Sequence, residues 1–389
     1  MAEVLTIMGK EKTLVPIISW ADDLDEDTTR QAINLANLPF AFSHICLMAD
    51  AHVGYGMPIG GVLATEDYII PNAVGVDIGC GVRAWCTRVE KERFLAARSD
   101  IMGGIYRLIP TGFNWHKKQQ ADKIFERPPK SPIIRKQLER ARYQLGTLGG
   151  GNHFIEAGFD DQGLVWLMVH SGSRNLGHQV ATHYNKVAQK WSKKHLPSIP
   201  PGHQLACLNV NTAEGKEYIA AMRYCLDFAR ANREHMMQRI LRVWNQYFSE
   251  APMPYVDVHH NYAAYEKHFN TWLWVHRKGA VRASGRVVVP GSMGTKSYIG
   301  LGLENPESFH SCSHGAGRVL GRRQAKRNIS IQRVQRQLQA QNIELYKTKM
   351  RDVAEESPEA YKDIDVVMEN QKDLVKIEVS LTPLGVIKG

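Results

Sequence analysis

Short apolar segments bounded by glycine or proline recur along the chain and predict buried strands. They span residues 45–48, 60–63, 68–70, 164–169, 272–275 and 287–289. Longer segments with apolar residues every three or four positions predict helices, over residues 26–36, 132–143, 177–194, 217–248 and 319–340. In the clearest of these, 217–248, the apolar face contains Ile240, Leu241, Trp244, Tyr247 and Phe248. Because strands and helices do not alternate as βαβ units, the pattern predicts an α+β fold.

Domain organisation follows from where the unusual motifs lie. A length of 389 residues would by itself suggest two or three domains. However, the sequence has no internal repeat and no Ser/Gly linker, and the Pro-rich segment 197–202 is typical of a surface loop. The motifs described below are scattered from residue 50 to the last two residues, so they can form one site only if the chain folds as a unit. We therefore expect a single domain over residues 1–389.

Charge and cysteine usage narrow the class of protein. The formal net charge is +10, which favours an anionic partner such as nucleic acid. Residues 315–340 carry seven Lys/Arg and no acid, and a second basic-rich stretch runs from residue 107 to 142. Solvated helix faces are the simpler interpretation of such runs.

The first 12 residues lack the apolar segment of a secretory leader, and no stretch is long and apolar enough to span a membrane. With six cysteines in no paired spacing, these features predict a cytoplasmic protein with reduced thiols.

Several segments carry residues suited to a metal site. In VGVDIGCG (74–81), Asp77 and Cys80 stand three positions apart among glycines, which alone is more typical of a buried structural cysteine. Three further segments add histidines: GGGNHFIE (149–156) has His153, VHSGSR (169–174) has His170, and VHHN (258–261) has His259 and His260. Together they form a credible set of nitrogen, oxygen and sulfur ligands. Ligand chemistry alone would favour zinc or iron.

Two glycine-rich segments are compatible with phosphate binding. In CSHGAGR (312–318), His314 precedes two glycines whose backbone N–H groups can face phosphate oxygens, and a neutral imidazole can attack phosphorus. An incidental histidine in a glycine-rich turn is the competing interpretation. VPGSMGTKS (289–297) nearly matches a Walker A motif, but Thr295 stands where glycine must precede the lysine. HSGSR lacks the G-x-S-x-G elbow of a serine hydrolase, so a nucleophile at Ser171 or Ser173 is disfavoured.

Eight motifs, in this order, resemble the RtcB family of RNA ligases. They are VGVDIGCG, GNHFIE, HSGSR, HHN, PGSMG, SHGAGR, AYKDID and the terminal Lys388-Gly389. Each motif is modest evidence alone, but all eight in family order are highly specific. The likeness covers residues 38–389, although residues 110–130 are unlike the family pattern.

The resemblance implies a compact α+β domain, with mixed sheets surrounded by helices and a central metal and nucleotide cleft. It implies two Mn²⁺ ions per chain, bridged by the Cys80 thiolate and held by Asp77, Cys80, His153, His170 and His260, with His259 left structural. It implies GTP as co-substrate and His314 as the guanylylated catalytic residue. The implied nucleotide-binding residues are Asn152, His153, Phe154, Ile155, Glu156, His260, Asn261, Pro290, Gly291, Ser292, Met293, Ser297, His314, Gly315, Ala316, Gly317 and Lys388. RNA phosphates would be held by Arg174, Arg318 and Arg322.

The reaction that the resemblance implies joins an RNA 3′-phosphate or 2′,3′-cyclic phosphate end to a 5′-hydroxyl end, in RNA repair or tRNA splicing. A histidine-bound GMP would activate the 3′ end, and an archease-like activator is a further implied partner. A metal-dependent RNA phosphodiesterase that hydrolyses cyclic phosphates is the alternative enzyme, but it would not need CSHGAGR and Lys388. A basic RNA-binding protein without chemistry is a third interpretation, which the complete ligand set disfavours.

Overall fold

Most strands of the chain belong to two large mixed sheets. The computed structural model describes residues 3–5, 13–347 and 350–389, so the expectation that residues 1–12 contain no leader lies outside the described residues except at 3–5. Labels follow the chain order. The first sheet has the order β1 (Glu3–Leu5), β2 (Ile17–Ser19), β3 (Ile45–Tyr55), β4 (Met57–Thr65), β12 (Thr271–Lys278) and β11 (Asn261–His268). Strands β2 and β3 run parallel, and the other neighbours are antiparallel.

The second sheet is built around the last strand of the chain. Its order is β10 (Met253–His259), β6 (Gly81–Glu90), β8 (Leu164–Ser171), β7 (Phe154–Phe159), β18 (Val375–Lys388), β15 (Ser297–Leu303) and β14 (Ser284–Val289), and β17 (Glu344–Lys347) adds parallel to β18. Two short ribbons pair β13 (Ala280–Arg282) with β16 (Ser311–Ser313) and β5 (Tyr68–Ile69) with β9 (Leu208–Asn209). Strands from positions far apart in the chain are thus neighbours.

Helices surround these sheets. They are α1 (Glu26–Ala36), α2 (Pro71–Val74), α3 (Lys91–Leu108), α4 (Pro132–Gln144), α5 (Arg174–His195), α6 (Ala213–Trp244), α7 (Arg322–Asn328), α8 (Ile331–Ala340) and α9 (Ile364–Asn370). In α1 and α6 the side chains of Asp25 and Thr212 cap the first turn by accepting a backbone N–H. No helix in the described residues is both long and apolar enough to cross a membrane. The mixed sheets and surrounding helices confirm the predicted α+β class.

The observed elements also correct two helix predictions. All six predicted strands lie within or overlap an observed strand. The segment 319–340 is not one helix, because the chain is extended at Ile329 and Ser330 between α7 and α8. The Ile329 side chain is buried in this extended link, and Ser330 is the N-cap residue of α8. The segment 217–248 is helical only to Trp244, and Phe248 packs back onto that indole from the following turn.

Pairing in the second sheet brings the predicted motifs to one edge. Lys388 is opposite Phe154, and Phe154 is opposite His170. Gly81 is opposite both Ser171 and His259. When neighbouring antiparallel strands have their ends at the same edge of a sheet, the side chains at those ends lie close together. The sheet therefore gathers residues from the middle and the end of the chain.

Candidate active site

Two groups of metal-capable side chains lie next to each other and share the thiol of Cys80. The first is Asp77, Cys80 and His153, and the second is Cys80, His170 and His260; the ligand atoms within each group lie within 4.8 Å of one another. Sγ of Cys80 is 3.4 Å from Nε2 of His153 and 3.2 Å from Nε2 of His170. The fold thus brings together all five residues that the family resemblance implies as ligands.

The protonation of this cluster suits cation binding. Nδ1 of His153 lies 3.0 Å from the carbonyl oxygen of Leu148, which leaves Nε2 for a metal. Burial, together with neighbouring histidines, lowers the pKa of His170 and of His260 well below the usual range, so both imidazoles are neutral. Burial opposes ionisation of Asp77, but the hydrogen bond and charge of His153, the charge of Arg174 and the hydrogen bond from Cys80 together outweigh it and lower the pKa of Asp77. Nδ1 of His260 is buried with no hydrogen-bond partner in the described part of the chain. These donors fit one or two transition-metal ions.

The buried side chain of Arg233 holds the metal-ligand loops in place, and sequence reasoning missed it. Its Nη1 donates to the carbonyl oxygens of Gly79 and Ser171, at 3.1 and 3.0 Å, and its Nε donates to Asp257 at 2.8 Å. Nδ1 of His259 lies 3.0 Å from the same Gly79 oxygen. His259 is therefore tied to the support of the loop rather than to the ligand cluster. A single arginine in a long helix carries no sequence signal for such a role.

His314 follows β16 and is oriented by Asp50 of β3. Its Nδ1 lies 2.6 Å from Oδ2 of Asp50, and its backbone N–H donates to the same oxygen at 3.2 Å. The Asp50 side chain is fully buried. Because Nδ1–H donates to the carboxylate, the lone pair on Nε2 stays free. The His314 ring centroid is 4.7 Å from that of His260, so the pair adjoins the metal-ligand cluster. Sequence reasoning did not assign Asp50 a role at His314, although a carboxylate inside an apolar strand is a visible signal.

A cavity joins His314 to the metal-ligand cluster. Twelve of the residues implied as nucleotide-binding line it: Asn152, Phe154, Glu156, Pro290, Gly291, Ser292, Met293, His314, Gly315, Ala316, Gly317 and Lys388. His170 of the cluster lines the same cavity, and so does His52. His52 was not assigned a site role from the sequence; it is a neutral imidazole, because burial lowers its pKa to about 4. The cavity therefore lies between the edge of the second sheet and β3 of the first.

Five implied nucleotide-binding residues do not line the cavity. His153 and His260 belong to the metal-ligand cluster. Ile155 lies in the core on the opposite face of β7, because adjacent residues of a strand point to opposite faces. The Asn261 amide bonds to the backbone of Asp77 and Gly279, and the buried Ser297 hydroxyl accepts from the N–H of Gly291. In this structure Asn261 and Ser297 support loops of the site.

Two buried carboxyl groups at the cavity have different environments. Burial raises the pKa of Glu156 to about 8, with the Lys388 charge acting against it, and Oε1 of Glu156 has no hydrogen-bond partner among the described residues. Glu356, which sequence reasoning missed, accepts from Nζ of Lys388 at 2.8 Å. Burial opposes ionisation of Glu356, but the Lys388 ammonium together with the charges of Arg318 and Arg322 outweighs it and lowers the pKa of Glu356. The cavity thus contains one carboxyl whose Oε1 has no partner among the described residues, and a second carboxyl that accepts from Lys388 and Tyr361.

The three arginines implied as RNA contacts have different surroundings. Arg318 and Arg322 line the cavity. Nη1 of Arg318 donates to the Tyr361 hydroxyl at 2.9 Å and lies 3.4 Å from Glu356, whereas Arg322 is exposed. Arg174 begins α5 and does not line the cavity; it donates to Thr147 and to the carbonyl oxygen of Gly112. Arg322 is therefore the most accessible of the three.

Comparison with known proteins identifies the family. A model of the family described as "tRNA-splicing ligase RtcB" matches residues 31–130 and 122–389. The RNA-splicing ligase RtcB of Escherichia coli K12 is 37% identical over 403 residues, which cover 96% of this chain and 97% of that protein. The chain belongs to the RtcB family. The tRNA-splicing ligase RtcB of Archaeoglobus fulgidus is 34% identical, over 94% of this chain and 92% of its own length. The RNA-splicing ligase RtcB of Mycobacterium tuberculosis is 32% identical, over 92% of this chain and its full length.

RtcB membership confirms the resemblance drawn from the eight motifs. The RtcB match includes the whole metal-ligand cluster, the residues that line the cavity and Asp50. The histidine–aspartate pair and the shared thiol therefore lie in the part of the chain that belongs to the RtcB family.

Proposed function

We propose that this chain is an RNA ligase that joins an RNA 3′-phosphate or 2′,3′-cyclic phosphate end to a 5′-hydroxyl end through GMP carried on His314, in RNA repair or tRNA splicing. One observation carries the proposal: His314, oriented by Asp50, lines the same cavity as His170 of the metal-ligand cluster. A nucleophile and a cation site on one cavity are what covalent nucleotidyl transfer requires.

His314 is suited to attack phosphorus. Its Nδ1 proton points at the buried carboxylate of Asp50, so Nε2 keeps its lone pair. When Nε2 bonds to phosphorus, the ring becomes positively charged, and the nearby carboxylate stabilises that charge. Asp50 is thus the positioning and electrostatic partner of the nucleophile.

The cavity provides groups for a guanine nucleotide, so we propose GTP as the co-substrate. Oε1 of Glu156 is buried in the cavity wall without a partner among the residues described. Guanine offers two neighbouring N–H donors on its Watson–Crick edge, which an ionised carboxylate can accept together. The glycines at 315 and 317 line the same cavity and leave backbone room for phosphate oxygens.

The metal-ligand cluster would hold two Mn²⁺ ions. Asp77 and His153 would bind one ion, His170 and His260 the other, and the Cys80 thiolate would bridge them. Bound manganese would neutralise phosphate charge and acidify a coordinated hydroxyl or water. Burial and the Asp77 charge raise the pKa of the Cys80 thiol well above its usual range, so a bound cation would be required to form the thiolate.

The proposed reaction has three steps. Nε2 of His314 attacks the α-phosphorus of GTP, a P–N bond forms, and pyrophosphate leaves. An oxygen of the RNA 3′-phosphate then attacks the same phosphorus, which frees His314 and leaves GMP on the RNA end. Finally the 5′-hydroxyl oxygen attacks the activated 3′-phosphorus, the phosphodiester forms, and GMP leaves. A cyclic phosphate would first be hydrolysed to the 3′-phosphate.

Further parts of the proposal concern the context of the enzyme. The six cysteines form no disulfide in the described residues, which supports a reducing, cytoplasmic location. We also propose that the chain acts as a single domain, since the cavity uses residues from both large sheets. An archease-like activator is proposed from the family resemblance alone.

The test is covalent labelling of the protein by GTP. The protein is incubated with manganese and GTP labelled at the α-phosphorus, and the label is tested for the acid lability and alkali stability of a phosphoramidate. We expect His314→Ala to abolish labelling. His178→Ala is the matched control, because that histidine is exposed on α5 and should leave labelling unchanged.

Two results would overturn the proposal. Full labelling of the His314→Ala protein would exclude His314 as the nucleophile. Manganese-dependent hydrolysis of a 2′,3′-cyclic phosphate without labelling of the wild-type protein would assign the site to a phosphodiesterase.

A further inference from the structure

A tight turn presents one aromatic ring almost entirely to solvent. Phe113 has 94% of its surface exposed, at the tip of a turn closed by the hydrogen bond from Asn114 N–H to the carbonyl oxygen of Thr111. Gly112 has a φ of +64°, a conformation that few other residues adopt without strain. A fully exposed phenylalanine buries nothing and does not stabilise the fold. Its position leaves the ring available to bind a ligand.

This turn is fastened to the loop that carries His153. The Gly112 N–H donates to the carbonyl oxygen of Gly149 at 2.7 Å, and Nη2 of Arg174 donates to the Gly112 oxygen at 3.2 Å. Four residues beyond Gly149 in the chain, His153 belongs to the metal-ligand cluster. The exposed ring is therefore held in a set position beside the catalytic cavity.

The cavity rim begins on the other side of the same loop. A side chain at Gly151 would collide with the guanidinium of Arg322, which shows how closely they pack. Arg322 and Asn152 both line the cavity. The loop 149–152 thus lies between the Phe113 turn and the cavity, because Gly149 and Gly150 adjoin the backbone of Gly112 and Asn152 lines the cavity.

A second aromatic ring and a strong positive charge adjoin the turn. The guanidinium carbon of Arg140 lies 4.5 Å from the centroid of the Trp115 ring, and 37% of Trp115 is exposed. Residues 107–142 contain ten Lys/Arg and three Asp/Glu, a net charge of +7. Aromatic rings among cations bind single-stranded nucleic acid by base stacking and phosphate attraction.

We propose that Phe113, Trp115 and Arg140 form a stacking platform that binds a single-stranded RNA segment next to the catalytic cavity. This rests on the proposed RNA ligase function and adds a specific RNA subsite to it. Phe113 would stack on one unpaired base and Trp115 on another, while the cations of the segment neutralise the backbone. Because every base has a stacking face, the platform holds RNA with little sequence preference.

RNA fits this surface better than a protein partner. A protein-docking patch is a contiguous apolar area, whereas the neighbours of Phe113 in the turn are Gly112 and Asn114, and Trp115 is followed by His116, Lys117 and Lys118. Isolated rings separated by polar and cationic residues match a flexible polyanion. Affinity should therefore fall as the salt concentration rises.

The test is RNA binding by variants that remove or keep the exposed ring. The probe is a fluorescein-labelled, unstructured 10-nucleotide RNA with a 3′-phosphate, and its anisotropy is followed at fixed ionic strength. We expect Phe113→Ala to weaken binding about tenfold and Phe113→Trp to keep it within about twofold of wild type. Tyr247→Ala is the matched control, because Tyr247 is an exposed aromatic just beyond α6 and its loss should leave the Kd unchanged.

Labelling of wild-type protein by GTP, measured on the same preparation, separates this inference from the proposed function because it needs no RNA. If the wild-type protein is labelled but Phe113→Ala binds the probe as tightly as wild type, the platform is wrong and the ligase proposal stands. If Phe113→Ala weakens binding but the wild-type protein is never labelled, the platform stands and the ligase proposal fails. Equal weakening by Tyr247→Ala, or no binding of the probe to wild-type protein, would also overturn the platform.

Discussion

Nδ1 of His314 lies 2.6 Å from Oδ2 of Asp50, although the two residues are 264 positions apart in the chain. Asp50 lies in β3, and His314 follows β16. The second oxygen of Asp50, Oδ1, is buried with no hydrogen-bond partner among the described residues. A buried carboxylate oxygen that accepts a hydrogen bond from an imidazole determines which ring nitrogen carries the proton. The free Nε2 of His314 is therefore a consequence of Asp50.

Asp50→Asn should slow covalent labelling of His314 by GTP about 100-fold or more. The amide keeps the shape of the carboxylate but can present its NH₂ to Nδ1, which would move the ring proton to Nε2, and it removes the negative charge that stabilises the modified ring. The rate is measured in single-turnover labelling experiments. Asp67→Asn is the control, since Asp67 is exposed. A wild-type rate in Asp50→Asn would contradict the role given to Asp50.

Binding of GTP should release a proton through Glu156. Burial raises the pKa of Glu156 to about 8, so at pH 7 the carboxyl is protonated, and it must ionise to accept the guanine N–H groups. Calorimetry at pH 7 in buffers of different ionisation enthalpy should show release of about one proton per GTP bound, which Glu156→Gln abolishes. The GTP affinity of wild type should rise as the pH increases from 6 to 8. A proton count that is the same in both proteins would exclude this explanation.

The same group affects stability in the absence of nucleotide. Its folded pKa, about 8, is above the usual value of 4.5, so the native state binds more protons than the unfolded state between these values. The free energy of unfolding should therefore fall as the pH rises from 4.5 to 8. Glu156→Gln should remove this loss and be more stable than wild type at pH 8, but not at pH 4, in urea titrations. Parallel pH profiles for the two proteins would argue against a raised pKa.

Removing Cys80 should affect metal content more than removing Asp77. Cys80 belongs to both ligand groups, whereas Asp77 belongs to one. After saturation with manganese and removal of free ions, elemental analysis should find about two ions per chain in wild type, about one in Asp77→Ala and fewer than one in Cys80→Ala. Cys207→Ala is the control: Cys207 is buried and its backbone N–H donates a hydrogen bond to the Ser192 hydroxyl, so this variant should keep the wild-type manganese content. Equal losses in the Asp77 and Cys80 variants would contradict a shared ligand.

Glu356→Gln should destabilise the protein by about 3 kcal/mol, because it leaves the buried Lys388 ammonium without a counter-charge. Urea unfolding measures the loss. Adding Lys388→Met to this variant should recover part of the stability, since the unpaired charge is then removed as well. Asp27→Asn is the control: its ion pair with Arg30 is largely exposed, so the unfolding midpoint should hardly change. No recovery in the double variant would mean that Glu356 acts through other contacts.

Local elements could be predicted from sequence where the local signals agree with the packing. The bounds of α1 match the prediction, because Asp25 caps the first turn and the apolar positions face the core. The helix predicted over 319–340 is interrupted at Ile329 and Ser330, where the chain is extended and Ser330 is the N-cap residue of α8. Ser330 and Asn245, at the helix boundaries, are local signals that the apolar periodicity did not take into account.

The residue types of the site were readable from the chain alone, because glycine-flanked histidines, a cysteine and an aspartate in a specific order carry the family resemblance wherever they fold. The sequence alone did not reveal the partners that give those residues their properties, which are Asp50 at His314, Glu356 at Lys388 and Arg233 behind the ligand loops. Each of these contacts joins residues 32 or more positions apart, so no local pattern encodes it. Which imidazole nitrogen is free, and which carboxyl keeps its proton, depends on hydrogen bonds and burial that arise only when the two sheets pack together.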